Sequence, residues 1–307
     1  MTAPLREGER RSPRSRPRAS RLVRAMLTCA LALPPTAVGM AAAGAADVPQ
    51  PTAHYDMSHR GDLLLDVSGS GNDATLTGAE ESSFVTAGED EVMRFRNDAY
   101  ASLPQGLITS DDNDFTVEFT VSAEAAHDQF GWVIGDGVGP WNTTQLGNHI
   151  FVNPASSQGG YNGQSLSGIR VKAGDGNGEL RLPAGGGIGD GVATITLVGE
   201  EDRLSLYLDG EEASTVEHEH QLVDIVPEGD VLGYIGRSLY AGDRLLDADV
   251  TDMKVWDEAL TEAQLNASQP TSDEKAATSE GLLRLDIEQV VLGENPGFDR
   301  VSTSLRL

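Results

Sequence analysis

The chain has 307 residues, of which 39% are hydrophobic and 5% aromatic, with 35 glycines and one cysteine. This balance is typical of a globular protein with one sizeable domain, and it excludes disordered, collagen-like and polytopic membrane chains. The formal net charge of −26 predicts a surface that repels nucleic acid and anionic lipid, so we expect no nucleic-acid partner.

Residues 1–46 have the pattern of a secretory signal peptide. Eight arginines lie between Met1 and Arg24, and they precede the apolar stretch AMLTCALALPPTAVGMAAAGAA. Small residues before Asp47 suit a signal peptidase, and the two adjacent prolines oppose a stable transmembrane helix. We therefore expect a secreted, extracellular protein without a membrane partner after cleavage. Retention as a membrane anchor is the alternative.

Cleavage of this leader would change both the charge and the cysteine count. Eight of the 22 basic residues and two of the 48 acidic residues lie in it, so the remaining chain would have a net charge of about −32. Cys29 would leave with the leader, so the domain must be stable without a disulfide. The strong negative charge also favours a soluble monomer.

From His54 to about Leu260, within a first domain expected at residues 47–268, short runs of alternating apolar and polar residues are separated by clusters of Gly, Asp, Asn and Ser. Such alternation is typical of strands with one buried and one exposed face. In FTVEFTV, which begins at Phe115, we expect odd-numbered residues to face the core and even-numbered residues, among them Glu118, to face solvent. The pattern predicts an all-β domain.

A tight hairpin is the clearest local feature. In RLSLYLDGEEAST, alternating leucines lead into Asp209-Gly210, a dipeptide that readily adopts the positive φ angles of a two-residue turn. The run VATITLV just upstream adds a third antiparallel strand. After Leu260, TEAQLNAS predicts a short turn of helix.

The last part of the chain predicts a second unit. Residues 269–281 are polar, with no apolar side chain larger than Ala, and are interpreted as a linker. Alternation resumes in LLRLDIEQVVL and VSTSLRL, so we expect residues 282–307 to begin a second β-domain that does not build a core of its own.

Four stretches of the first domain resemble the concanavalin A-like, laminin-G-like jelly roll: HYDM, DVSGSGNDATLTG, LSLYLDGEEAS and YIGRSLYAGDRLLDADVTDMKVWDEALTEAQL. The resemblance covers about Ala53 to Ala267. It implies an all-β fold with two antiparallel sheets packed face to face as a jelly-roll sandwich. Residues 282–307 resemble the opening of a degenerate bacterial immunoglobulin-like domain found in secreted actinobacterial glycoside hydrolases.

These resemblances imply a secreted carbohydrate-binding or accessory module, at the N-terminal part of a polysaccharide-degrading glycoside hydrolase, with a polysaccharide or glycan as partner. Sugar binding needs exposed aromatic rings beside polar groups. Four aromatic residues lie in or beside Gly-rich loops and are the candidates: Trp141, Tyr161, Tyr240 and Trp132. Trp132, in GWVIGDG, also fits a core position. A structural or adhesive module without sugar binding is the alternative function.

A structural Ca²⁺ is the one cofactor that the resemblance implies. Relatives often carry an ion that ties the first and last strands together, and the candidate ligands here are Asp56, Asp66 and Asp252. The chain has Thr251 where relatives often have an acid, and a solvated acidic surface explains the same residues. His218 and His220 in VEHEHQ suit a transition metal or an exposed strand end.

We expect no catalytic residue in this chain. The spacing of Asp247, Asp249 and Asp252 imitates the acid triplet of laminarinase-type hydrolases, which share this sandwich. Those enzymes place Glu at both ends of the triplet, and a shorter Asp pair would widen the gap between the two carboxylates. A weak glycosidase is therefore the least favoured reading. No serine-hydrolase elbow, zinc-protease motif or phosphate loop occurs in the sequence.

Overall fold

Two antiparallel β-sheets form the fold of the chain. The computed structural model describes residues 46–292, apart from residues 97, 109–113, 124–128, 137–146, 158, 172–178, 186, 190 and 227–230. The predicted leader, residues 1–46, and the run VSTSLRL therefore lie outside the described residues, except for Ala46. The predicted two-sheet antiparallel jelly-roll sandwich is confirmed.

Sheet A has eight strands among the described residues. Seven of them follow the spatial order β15 (Glu211–Glu217), β14 (Arg203–Leu208), β13 (Ala193–Glu200), β8 (Phe115–Ser122), β17 (Ala248–Trp256), β6 (Asp90–Phe95) and β5 (Phe84–Ala87). The eighth strand, β1 (Ala53–Tyr55), pairs with β17, so the first and last strands of the sandwich lie side by side.

Sheet B has nine strands among the described residues. Their order is β12 (Glu179–Ala184), β11 (Ser165–Arg170), β10 (His149–Asn153), β9 (Trp132–Asp136), β16 (Val231–Ile235), β7 (Tyr100–Leu103), β4 (Ala74–Thr77), β3 (Leu63–Leu64) and β2 (His59–Arg60). One large hydrophobic core fills the space between the two sheets, and Phe95, Phe119 and Trp132 in it are fully buried. Burial of such rings supplies much of the stability of a domain without disulfides.

The predicted hairpin is confirmed. Strands β14 and β15 pair on either side of Asp209 and Gly210, whose φ angles are 50° and 81°. Positive φ at both positions matches the right-handed twist of the flanking strands. Strand β13 pairs with β14, as expected, so the three strands are adjacent and antiparallel.

Three α-helices occur among the described residues: α1 (Leu222–Ile225), α2 (Glu262–Ser268) and α3 (Ser272–Leu292). A short 3-10 helix spans Glu81–Ser83. Helix α2 confirms the prediction from TEAQLNAS. It begins with a capping box in which Thr261 accepts a hydrogen bond from the Gln264 amide and Gln264 bonds back to the Thr261 amide. No described helix is long and apolar enough to cross a membrane.

Helix α3 corrects the interpretation of residues 269–281 as a linker and of LLRLDIEQVVL as a strand. The Thr271 amide donates to the Glu274 carboxylate at 2.7 Å, and the Glu274 amide donates to the Thr271 hydroxyl at 3.3 Å. This reciprocal cap starts the helix. Leu282 and Leu285 then pack on Ala87 and Val92 of sheet A. Tertiary burial therefore overrides the weak local alternation.

The outer face of strand β8 corrects a second prediction. Thr116, Glu118 and Thr120 are buried rather than solvated. The carboxylate of Glu118 accepts hydrogen bonds from Lys254 Nζ at 2.8 Å and from the Ser268 hydroxyl at 2.7 Å. Because Ser268 ends α2, the segment after the last strand covers this face.

Candidate functional site

The outward side of sheet B carries a group of aromatic and basic side chains. Alternation along the strands produces it, since Trp132 and Ile134 belong to the core and Val133 between them faces outward. We call this side the aromatic face. Its members are Tyr100, Phe130, Val133, His149, Phe151, Arg170, Tyr234, Arg237 and Tyr240.

The centre of the aromatic face is a buried layer of rings. Phe130 stacks on Phe151 with ring centres 4.8 Å apart, and His149 lies 5.8 Å from Tyr240 in an edge-to-face arrangement. Phe151 is 2% exposed. It lies opposite Gly168 on β11, where an added Cβ would stand 2.2 Å from the Leu180 carbonyl oxygen and 3.2 Å from the Phe151 ring. Glycine at this position therefore gives the ring room to lie on the sheet.

A second group of the aromatic face lies on β7 and β16. Tyr100 and Tyr234 meet edge to face with ring centres 5.8 Å apart. The guanidinium carbon of Arg237 lies 4.7 Å from the Tyr100 ring centre and 5.3 Å from that of Tyr234. A guanidinium at this distance is attracted by the electron-rich ring face. All three side chains are half-buried, so part of each reaches solvent.

The loop after β16 positions Arg237 and Tyr240. Gly236 has a φ of +80°, and an added Cβ there would stand 2.4 Å from the Phe95 ring, so both the backbone and the space require glycine. The Leu246 amide donates to the Gly236 carbonyl at 2.8 Å and closes the loop. Within it, the Tyr240 amide donates to the Ser238 hydroxyl at 3.0 Å. The loop is thus held over the sheet by its own hydrogen bonds.

Arg170 connects β11 to this loop. Its guanidinium donates a hydrogen bond of 3.2 Å to the Tyr240 hydroxyl, while its buried Nε has no acceptor among the described residues. Beside it, Arg181 on β12 donates through Nε to Glu179 at 2.9 Å. Glu179, the carboxylate next to Arg170, is thus already paired with Arg181.

The electrostatics of the face are set by its arginines rather than by its histidine. Burial lowers the pKa of His149 to about 4, against a backbone hydrogen bond that favours the charged ring, so the imidazole is neutral at pH 7. Burial also raises the pKa of the Tyr240 hydroxyl, partly offset by the positive charge of Arg170. The phenol therefore stays protonated while its oxygen accepts the hydrogen bond from Arg170.

The four aromatic residues that were predicted to bind sugar, because they lie in or beside Gly-rich loops, occupy different positions in the structure. Tyr240 belongs to the aromatic face, and Tyr161 packs half-buried at its edge, 6.0 Å from the guanidinium of Arg181. The prediction that Trp132 binds sugar is wrong, because its ring is fully buried between the sheets and has no exposed surface. Trp141 lies outside the described residues.

The sequence analysis did not identify Tyr100, Tyr234, Arg170 or Arg237 as candidate site residues. Tyr100 and Tyr234 lie on neighbouring strands of the sheet but 134 residues apart in the chain. The one sequence feature that indicates their outward position is alternation along the strand, because each tyrosine precedes a core residue, Ala101 or Ile235. That feature does not say which strands become neighbours.

The three predicted calcium ligands do not form one cluster, although Asp56 and Asp252 line the same pocket. Asp66 uses its carboxylate inside its own loop, where it accepts hydrogen bonds from the amides of His54, Ser68 and Asn72, each at 2.9 Å. These bonds lower the pKa of Asp66 in spite of the desolvation that opposes them. Asp56 accepts from the Ser58 amide at 3.0 Å.

Asp252 is engaged with basic side chains instead. Its two carboxylate oxygens lie 2.7 Å from His54 Nε2 and 3.3 Å from Lys254 Nζ. Among the described residues no group of three or more His, Cys, Asp or Glu side chains could hold a metal ion. His218 and His220 stack with ring centres 5.9 Å apart and gain no third ligand there. Calcium binding stays a prediction, and the described carboxylates named for it do not fit as one set.

The acid triplet is likewise held in ion pairs. Asp247 lies 3.0 Å from Arg96, and Asp249 lies 3.1 Å from Arg96 and 3.8 Å from Arg94. Asp249 is buried on the outer side of sheet A beside α3. A nucleophile and a general acid need two carboxylates that face one sugar bond, whereas here Asp247 and Asp249 pair with arginines and Asp252 pairs with Lys254.

The fold has relatives of known structure. Domain 4 of AbnA, a GH43 extracellular arabinanase from Geobacillus stearothermophilus, in complex with arabinotriose, matches with 16% identity and a TM-score of 0.53 over 73% of this chain and 100% of that chain. The binding domain of Paraclostridial Mosquitocidal Protein 1 matches with 10% identity and a TM-score of 0.47 over 71% and 51%. Trypanosoma rangeli sialidase in complex with the inhibitor DANA matches with 18% identity and a TM-score of 0.45 over 72% and 33%.

Comparison of the sequence with curated proteins finds no match. The family model of the concanavalin A-like lectin/glucanases superfamily matches residues 95–266, which is more than half of the 307 residues. This region runs from the end of β6 to α2 and includes the whole aromatic face. The chain therefore belongs to the concanavalin A-like lectin/glucanases superfamily.

Proposed function

We propose that the chain is a carbohydrate-binding module and that the aromatic face of sheet B is its sugar site. The single observation that carries the proposal is the meeting of Tyr100, Tyr234 and Arg237 on one outward surface. Sugars expose apolar C–H faces that pack on aromatic rings, and hydroxyls that need hydrogen-bond partners. This surface offers both kinds of group next to each other.

The rigidity of the aromatic face supports the same function. Phe130 and Phe151 form a packed layer on the sheet, and the loop that carries Arg237 and Tyr240 is closed by backbone hydrogen bonds. Side chains that are already ordered lose little conformational entropy when a ligand binds. A weak and mostly polar ligand such as an oligosaccharide benefits from such preorganisation.

The arabinanase domain that matches this fold was solved with arabinotriose. Its identity is low, so it supports the proposal through the fold alone. The arginine-rich leader in the sequence supports an extracellular location, where polysaccharides are found. Within this proposal the chain is an accessory module and performs no hydrolysis itself, in agreement with the ion pairs of Asp247, Asp249 and Asp252.

Titration calorimetry with a panel of soluble glycans tests the proposal. The panel contains neutral oligosaccharides of arabinan, galactan and xylan together with oligogalacturonate and sialyllactose. We expect at least one of them to bind, and we expect Tyr100→Ala and Tyr234→Ala each to weaken that binding by about fivefold or more.

Tyr207→Ala is the matched control, because Tyr207 is a half-buried tyrosine on β14 of the other sheet. It should leave the affinity unchanged. Absence of binding to every glycan would contradict the proposal and favour a structural or adhesive module. Binding that is insensitive to Tyr100→Ala and Tyr234→Ala would place the sugar site elsewhere.

A further inference from the structure

We infer that the aromatic face binds saccharides that carry carboxylates on more than one sugar, with Arg170 and Arg237 as the carboxylate-binding residues. This inference rests on the proposed function and narrows its ligand class.

Most of the described arginines and lysines already form ion pairs with carboxylates. The pairs are Arg94 with Asp249 and Asp286, Arg96 with Asp247 and Asp249, Arg181 with Glu179, Arg203 with Glu200, Lys254 with Glu118 and Asp252, Lys275 with Asp209, and Arg284 with Glu280. Because the chain has 48 acidic and 22 basic residues, we expect most basic side chains to have a carboxylate nearby.

Four described arginines form no such pair, and two of them, Arg60 and Arg244, are exposed to solvent. The other two, Arg170 and Arg237, are half-buried on the aromatic face. Neither has a carboxylate within ion-pair distance among the described residues; their partners are the Tyr240 hydroxyl and the rings of Tyr100 and Tyr234. Glu179, which pairs in register with Arg170 on the next strand, is neutralised by Arg181. Two cations that lack a carboxylate partner in the described part of the chain, on one face of a strongly acidic protein, favour an anionic ligand.

The geometry of both guanidinium groups leaves donors for such a ligand. The contacts of Arg237 with the Tyr100 and Tyr234 rings are cation–π contacts, which do not consume its N–H donors as hydrogen bonds would. Arg170 uses one N–H of its Nη1 for Tyr240, and because its Nε is buried, its other Nη donors are the ones that would bind a carboxylate. A carboxylate accepts two parallel hydrogen bonds from an arginine, and this pairing is stronger than a bond to a neutral hydroxyl.

The spacing of the two arginines indicates an oligosaccharide rather than one acidic sugar. Arg170 is on β11, and Arg237 follows the end of β16, with β10 and β9 between these two strands. Three strand spacings of about 4.8 Å place the strands roughly 14 Å apart. With the two arginines carried at strands this far apart, we expect each to bind a carboxylate of a different sugar ring.

The net charge of the whole chain opposes a polyanion at long range. At physiological ionic strength the Debye length is about 8 Å, so distant acidic groups are screened while contacts within the face are not. Asp243 is the exposed acid of the loop that carries Arg237, and its charge reaches Tyr240. We therefore expect affinity for an acidic saccharide to depend on these two arginines and to be insensitive to arginines elsewhere.

Calorimetry with matched acidic and neutral ligands tests the inference. The probes are oligogalacturonate, sialyllactose and the carboxyl-reduced form of each. We expect oligogalacturonate to bind about tenfold or more tightly than its reduced form. Sialyllactose, which has a single carboxylate, should bind more weakly than oligogalacturonate because it engages one arginine.

Arg170→Met and Arg237→Met should each lower the affinity for oligogalacturonate by about tenfold, with the reduced form little affected. Arg170→Lys should restore part of the loss. Arg203→Met is the matched control, because Arg203 is exposed on β14 of sheet A. Thermal unfolding of each variant checks that the fold is intact.

The outcomes separate the inference from the proposed function. Equal affinity for the acidic and reduced forms, or binding of neutral glycans alone, would overturn the inference and leave the sugar site in place. Tighter binding of sialyllactose than of oligogalacturonate would overturn the claim of two separate carboxylates. Binding of none of the acidic or neutral glycans would contradict both.

Discussion

Lys254 on β17 donates a hydrogen bond of 2.8 Å to the carboxylate of Glu118 on β8, whose side chain has no exposed surface. The pair lies on the outer side of sheet A, beneath the segment that leads into α3. Burial disfavours the charged ammonium, but Asp252 and Glu118 outweigh this and raise the pKa of Lys254 above its usual value. The Lys254 ammonium therefore stays charged throughout the physiological range.

The first prediction concerns this ion pair. Lys254→Met should reduce the free energy of unfolding by about 3–5 kcal/mol, because it leaves the buried Glu118 carboxylate without its cation. Urea denaturation measures the effect. Lys275→Met is the control, since its partner Asp209 is half exposed, and it should cost about 1 kcal/mol or less. Adding Glu118→Gln to Lys254→Met should recover part of the loss; no recovery would contradict the account.

The second prediction concerns pH and His149. Because its pKa is about 4 in the fold and near 6.5 in the unfolded chain, the unfolded chain binds more protons between these values. Stability should therefore fall as pH decreases through this window, by about 3 kcal/mol from this group. Urea denaturation at pH 4.5 and 7.5 should give a smaller difference for His149→Gln than for the unmodified chain. Equal differences would mean that His149 is accessible to protons in the fold.

The third prediction separates two roles of Asp66. If its carboxylate serves the backbone amides of His54, Ser68 and Asn72, Asp66→Ala should lower stability by about 2–3 kcal/mol. The loss should be the same with calcium and with a chelator. Asp62→Ala, an exposed acid nearby, should change stability by less than about 0.5 kcal/mol.

A different result would revive the calcium hypothesis. If calcium raises Tm for the unmodified chain and Asp66→Ala abolishes that rise, Asp66 is a metal ligand rather than only a loop residue. Differential scanning fluorimetry with calcium and with EDTA provides both measurements.

The fourth prediction concerns the contact of α3 with sheet A. Gly281 lets the helix approach the turn between β5 and β6, and an added Cβ would stand 2.6 Å from the Gly88 nitrogen. Gly281→Ala would stabilise an isolated helix by about 1 kcal/mol. Here it should instead loosen α3 by about 1–3 kcal/mol, because backbone atoms on both sides must move.

Hydrogen exchange of α3 amides measures that change. Glu280→Ala, at the exposed neighbouring position, should leave the exchange rates of the helix nearly unchanged. Slower exchange in Gly281→Ala than in the unmodified chain would mean that α3 does not pack closely on sheet A.

The parts of the fold that are predictable from sequence depend on local chemistry. Asp209-Gly210 specifies its own turn, and Thr261 with Gln264 specifies the start of α2. The error at β8 has a long-range cause. Glu118 is polar by sequence, and it is buried only because Lys254 and Ser268, far along the chain, supply its hydrogen bonds.

The candidate site was harder to predict for the same reason. Tyr240 was named as a candidate from its loop, but its outward-facing neighbours Tyr100 and Tyr234 come together only when β7 and β16 pair. Trp132 was misassigned because a Gly-rich setting is shared by binding loops and by crowded core strands. Sequence spacing does not distinguish these two settings.

The direct test of the central claim is the position of a bound sugar on the folded chain. Backbone and side-chain NMR shifts recorded during titration with the glycan of highest affinity provide it. The account predicts that the largest changes cluster on the outward side of sheet B, at Tyr100, Arg170, Tyr234 and Arg237. Changes confined to sheet A or to α3 would contradict it.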